Sequence, residues 1–127
     1  MIRKILFVLA GASAVCGMPA AAVAPEPIHY GEAINCAGIL VLRAWLAEAD
    51  GQSPDDYYDE GAVWFNLAVL KARDPSEVES KVIARASELS NFYGNNAERI
   101  RPQMYGFMLD CEKAKFRSPE EFEAARN

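Results

Sequence analysis

Ala33-Ile34-Asn35-Cys36-Ala37-Gly38-Ile39-Leu40-Val41-Leu42 is a run of ten residues without a charge. Beyond Arg43 the apolar character resumes in Ala44-Trp45-Leu46-Ala47. On a helix drawn from Glu32 to Ala49, apolar side chains fall on nearly every side. Ile39 and Leu46 interrupt even the side marked by Glu32, Arg43 and Asp50. A helix that is apolar nearly all round is buried on most sides. In so small a domain it is either a central helix or one covered by a second copy of the chain. A membrane span does not fit, because a span needs about 20 apolar residues and Arg43 would lie within it.

The segments that follow are punctuated by helix starts. Ser53-Pro54-Asp55-Asp56 sets out an N-cap, a proline at the first helical position and acids in the first turn. Asp74-Pro75-Ser76-Glu77 repeats the arrangement, with Glu77 placed to reach back as a capping-box partner. Ser118-Pro119-Glu120-Glu121 does so a third time. These signals predict four main helices: A over Glu32 to Ala49, B over Pro54 to Ala72, C over Pro75 to Tyr93 and D over Ala97 to Phe116. Asp50-Gly51 stops helix A and Gly94 stops helix C. Pro102 lacks an N–H, so helix D either starts near Arg101 or bends there. A short amphipathic turn follows over Pro119 to Ala125.

The helical patterns support packing. Tyr57, Gly61, Trp64, Phe65, Ala68 and Ala72 recur at helical spacing in B, as do Val78, Val82, Ala86, Leu89 and Tyr93 in C. Each main helix is about 28 Å long at 1.5 Å per residue. Connections of a few residues between such helices make neighbours antiparallel. The expected fold is all-α: a small up-down-up-down four-helix bundle with a short C-terminal helical turn.

The three cysteines refine this. Cys36 lies about one turn into helix A, and Cys111 about one turn before the end of helix D. In an up-down bundle those two levels coincide, so a Cys36–Cys111 disulfide is expected. Neither cysteine has the Cys-x-x-Cys spacing of a catalytic dithiol. Disulfides persist in oxidising compartments, and the N-terminus reads as an address to one. Arg3 and Lys4 precede an apolar stretch from Ile5 to Val15, then Pro19 and the small residues Ala20-Ala21-Ala22-Val23-Ala24. This is the layout of a cleavable export signal. Cleavage is expected after Ala22, with Ala24 as the alternative, where Pro25 would follow the cut. Cys16 then leaves with the signal. Ser13-Ala14-Val15-Cys16 resembles a lipobox superficially, but Val15 stands where a small residue is required. The organisation expected is a signal over 1–22, an extended leader over 23–31, the four-helix domain over 32–117 and a short C-terminal helix or tail over 118–127. The location expected is periplasmic or secreted, with no stable membrane span once the signal is gone.

Charge narrows the partners. The chain has thirteen Lys and Arg and eighteen Asp and Glu. With Arg3 and Lys4 removed, eleven basic residues face those eighteen acids, a net charge of −7. Such a surface repels nucleic acid and anionic lipid.

Candidate chemistry is sparse. Asp55-Asp56-Tyr57-Tyr58-Asp59 resembles the Asp-Asp-x-x-Asp motif of isoprenoid diphosphate synthases, but the likeness covers five residues and no second acidic motif accompanies it. Acids in a first turn offset the helix dipole, which accounts for them. Asp55, Asp59 and Glu60 could hold a divalent cation weakly. His29 is the only histidine and lies in the leader, with no Ser or Cys partner near it in sequence. There is no Cys-x-x-Cys-His haem attachment motif, and Met104 and Met108 at one-turn spacing read as core filling. No cofactor is expected. The aromatic residues exceed what one small core needs, and Trp45, Tyr57, Tyr58, Trp64 and Phe65 form the expected partner or ligand surface. The function expected is that of an exported, noncatalytic helical module that binds a protein partner or itself. The alternative is a periplasmic carrier or sensor of a small apolar ligand or divalent metal. Mass spectrometry of the exported protein should find a chain that begins at Val23 and weighs two hydrogens less than its reduced form. Two alkylatable thiols would contradict the pairing.

Overall fold

The computed structural model describes residues 26–93 and 97–127. The expected export signal with either cleavage point, Cys16, the first part of the expected leader and the expected Gly94 stop lie outside the described residues. Among the described residues there are five α-helices: α1 (Tyr30–Ala49), α2 (Asp55–Lys71), α3 (Val78–Tyr93), α4 (Ala97–Arg117) and α5 (Pro119–Ala124). A 3-10 turn over Pro75–Glu77 leads into α3. The architecture is the expected all-α bundle.

The uncharged segment forms the centre. Ala33, Ile39 and Ala44 are fully buried, and Cys36, Ala37, Leu40 and Leu42 nearly so. The element that packs against each of α2, α3 and α4 is α1, most extensively against α2 and α3. Its cover therefore comes from within the chain. Small residues on its surface let neighbours approach closely. A Cβ added at Gly38 would lie 2.8 Å from Arg85 Cγ and 2.9 Å from Arg85 Cβ, with the Val82 carbonyl oxygen 3.2 Å away. Arg85 then turns its Nε to donate to Asn35 Oδ1 at 2.7 Å, tying α3 back to α1.

The helix ends follow the sequence signals, with two changes of role. Helix α1 stops at a Schellman arrangement: Gln52 N–H donates to the Ala47 carbonyl at 2.8 Å and Gly51 N–H to that of Glu48 at 3.1 Å. Gly51 has φ +73°, a left-handed conformation that glycine adopts without steric cost. Ser53 Oγ accepts from Asp55 N–H at 3.3 Å at the start of α2. Asp74 accepts from Ser76 N–H at 3.1 Å, but Glu77 does not complete a capping box. It pairs with Lys81 at 3.3 Å, because the first turn is 3-10. Ser118 likewise does not cap its helix through its side chain. Its hydroxyl donates to the Glu26 carbonyl at 2.9 Å. Pro102 lies inside α4, which neither starts there nor stops. Pro102 and Glu98 are both exposed, so the Glu98 carbonyl that lacks an N–H partner can be met by water.

Cys36 and Cys111 are joined, with Cα atoms 5.8 Å apart, so the start of α1 lies beside the end of α4. In the chain-entropy account, a link across 75 residues stabilises by about 4 kcal/mol. Helix α5 folds back so that Phe122, fully buried, packs on Trp64 with ring centroids 5.0 Å apart. Asn66 Nδ2 donates to the Ala125 carbonyl at 3.0 Å and holds the chain end down on α2.

The leader departs from expectation. It becomes helical at Tyr30, and Glu26-Pro27-Ile28 is a docked strap. Ile28 is 1% exposed. Its N–H donates to Glu121 Oε2 at 3.1 Å, and Arg117 donates to the Pro27 carbonyl at 3.2 Å. Arg117 also pairs with Glu32, and Lys71 with Glu121. Glu32 in turn accepts from His29 N–H at 3.0 Å, at the start of α1. Burial pushes Glu32 and Glu121 upward, but their donors outweigh it. Arg117 and His29 N–H hold Glu32 below the ordinary 4.5, and Lys71, Ile28 N–H and Ser118 do so for Glu121.

Two outcomes follow. Gly38→Ala gains about 1 kcal/mol of helix propensity but forces Arg85 off α1, so denaturant unfolding should show a net loss of about 1–2 kcal/mol. A depressed carboxylate adds stability above its unfolded-state pKa and loses it as pH falls through its lower folded value. The protection factor of the Ile28 amide, its exchange rate set against the intrinsic rate at each pH, should therefore be high above pH 4.5 and fall below it, ahead of protection in α1. Simultaneous exposure of both would contradict a separately held strap.

Candidate functional site

The expected surface, on α2 and at Trp45 of α1, divides when folded. Trp64 is 1% exposed and belongs to the core, because α5 brings Phe122 over it. It is not part of a surface. Trp45 is half-buried against the core. Tyr57 is half-buried too, and its hydroxyl accepts from Arg43 Nη2 at 2.8 Å. Tyr58 is exposed and donates to Glu48 Oε1 at 3.0 Å. Partial burial and the Glu48 carboxylate both push the Tyr58 hydroxyl up. Tyr58, Ala62 and Phe65 edge a shallow groove of about 230 Å³, floored by Ala37 and Val41 of α1 and bounded by Val82 of α3.

The acidic start of α2 does not gather into a metal centre. Glu60 turns to Lys115, 2.9 Å away. Asp55 and Asp59 are exposed. Among the described residues no three His, Cys, Asp or Glu side chains come together as metal ligands. His29 is exposed, with Nε2 3.3 Å from Glu26 Oε1. No helix of the described residues is long and apolar enough to cross a membrane.

The clearest apolar surface lies on α4. Ile100, Met104 and Cys111 are buried and face the core. Tyr105, Leu109 and Phe116 repeat the same spacing five residues later, and are 78%, 53% and 78% exposed. At about 100° per residue, each member of the second set is turned about 140° from its counterpart. The helix therefore carries two apolar stripes, one against the core and one toward solvent. Single exposed apolar residues are ordinary; three large ones on one helix face, with Glu112 between Leu109 and Phe116, make this face the candidate interaction surface.

Sequence reasoning placed the surface on α2 and at Trp45 of α1, and missed this one. The signal was present: Tyr105, Leu109 and Phe116 fall within 40° of one another on any helix drawn over 97–116. Which of the two stripes faces the core is set by Cys111, which the disulfide holds against α1. Compared with protein-family models, curated proteins and solved structures, the chain has no match.

Proposed function

We propose that this protein is an exported, noncatalytic helical module that acts by binding protein, beginning with a second copy of itself through the outer face of α4. The export reading rests on the basic and apolar N-terminal pattern, with its small-residue cleavage region, and draws support from the disulfide. The periplasm or the exterior is then its place of work. The observation that carries the binding reading is the solvent-facing stripe Tyr105, Leu109 and Phe116.

The stripe is self-complementary in one direction. When two α4 helices run antiparallel about a two-fold axis between Asp110 and Cys111, each Tyr105 meets Phe116 of the second copy. Leu109 then falls opposite Glu112 of the second copy, whose carboxylate turns back to Lys115. In a parallel pairing Arg101 and Lys113 would each meet their own kind, and like charges disfavour it. Three side chains are few beside the roughly 800 Å² per partner of a standard interface, so the dimer is weak and concentration-dependent.

Sedimentation of the oxidised mature chain should therefore show a monomer moving toward dimer as concentration rises. Leu109→Glu should hold it monomeric with unchanged helicity. A strict monomer up to about 1 mM, where a contact worth roughly 4 kcal/mol would register, would remove self-association through α4.

A further inference from the structure

A second surface feature lies at the opposite end of the bundle from the strap, where the last turns of α1 meet the first half of α4. An open cleft of about 400 Å³ is bounded there by Arg43, Leu46, Tyr57, Arg101 and Met104, among others. That volume is within the range of small-molecule sites. Its lining is chemically divided. Leu46 and Met104 supply an apolar wall, with the ring of Tyr105 at one edge, and two guanidinium groups supply positive charge.

Arg43 is the unusual member. Among the described residues five basic side chains are half-buried: Arg43, Lys71, Arg85, Lys115 and Arg117. Four of them pair with carboxylates, respectively Glu121, Glu88, Glu60 and Glu32. Arg43 instead has a phenol. Its Nη2 donates to the Tyr57 hydroxyl at 2.8 Å, and its guanidinium carbon lies 4.8 Å from the centre of the Tyr57 ring. These contacts hold the group in place without neutralising it. In a chain with a large excess of acids, a partly desolvated cation without an anion is a vacancy in the charge pattern.

Arg101 strengthens the point. It reaches the same cleft, and its contact with Asp50 is a loose 3.5 Å between two side chains that are 71% and 50% exposed. An exposed pair of that kind contributes little and exchanges readily. The carbonyls at the end of α1 oppose an anion less than a bare helix end would. Those of Leu46, Ala47 and Glu48 already accept from the N–H groups of Asp50, Gly51 and Gln52. Asp50 at the rim nevertheless penalises a second negative charge. The cleft thus suits one charge and an apolar body.

We infer that this cleft binds a small organic acid, a monocarboxylate with an aromatic or short aliphatic body. Arg43 takes the carboxylate, Tyr57 orients Arg43, and the body lies along Leu46 and Met104. Arg101 closes over the open side. This site is distinct from the α4 stripe apart from the shared edge at Tyr105, and it does not depend on self-association.

The test uses the oxidised mature protein at a concentration where it sediments as a monomer, with phenylacetate as probe. Phenethylamine serves as the cationic counterpart and inorganic phosphate as the anion without a body. NMR titration should show saturable shifts at the Arg43 side chain, Tyr57 and the Met104 methyl with phenylacetate, and none with the other two at the same concentration. Arg43→Gln should weaken binding at least about tenfold, the effect of losing a charge-assisted hydrogen bond, and the exposed Arg101→Gln about threefold. Absence of saturation up to about 10 mM would overturn the inference. So would undiminished binding to Arg43→Gln, or equal binding of the amine or of phosphate. Should Arg43→Gln not fold, intermolecular NOEs from phenylacetate to Arg43 and Met104 in the native protein decide, and their absence at saturation overturns the assignment.

Discussion

The structure is organised by one requirement, the removal of α1 from water. Its side chains are apolar nearly all round, and burying apolar surface stabilises by roughly 25 cal/mol per Å². A single neighbour covers only one side of such a helix. Here α2 and α3 cover most of it, and α4 closes a further side. Short connections make this arrangement reachable with antiparallel neighbours. Gly38 and Ala37 let the cover come close. The disulfide acts on the same problem, because it fastens α4, the more lightly packed of the three neighbours, to the start of the central helix.

A polar seam runs where the apolar cover ends. The strap over Glu26–Ile28 and the short helix α5 lie together there, joined by Ile28 N–H on Glu121 and Ser118 Oγ on the Glu26 carbonyl. Arg117 and Lys71 bring the compensating charges to Glu32 and Glu121. Beneath the seam, Ile28 and Phe122 complete the core, and Phe122 seals Trp64. Residues that read as flanking tail and leader thus supply two of the largest fully buried side chains. The cleft beside Arg43 lies at the other end of the bundle, between the last turns of α1 and the first half of α4.

Legibility in the sequence differed between fold and surface. The four helices, their ends to within three residues, the stop at Gly51 and the Cys36–Cys111 pair were all readable. Each rests on a local rule: apolar periodicity, a capping residue, or the level of a residue within a bundle. The choice left open for helix A resolved toward a central helix. The surface was read less well. Trp64 was placed outside because a tryptophan on B looks the same whether or not α5 folds over it. Ile28 was passed over and Ser118 was read as a cap, because their partners, Glu121 and Glu26, lie 93 and 92 residues away. The α4 stripe was present in the spacing, but two apolar stripes on one helix do not announce which is buried.

What the sequence determined by itself was the set of elements, their order, the constraint that Cys36 and Cys111 share a level, and a net acidic charge. These are properties of segments and of total charge, and they need no knowledge of what packs where. Tertiary structure alone decided which apolar side chains remain in water, how strap and α5 close the core, and which half-buried cation was left without a carboxylate. The reason is physical. Burial and charge pairing belong to pairs of surfaces brought together from distant parts of the chain. Arg43 is one arginine among several in the sequence, and only its neighbours in the folded bundle set it apart.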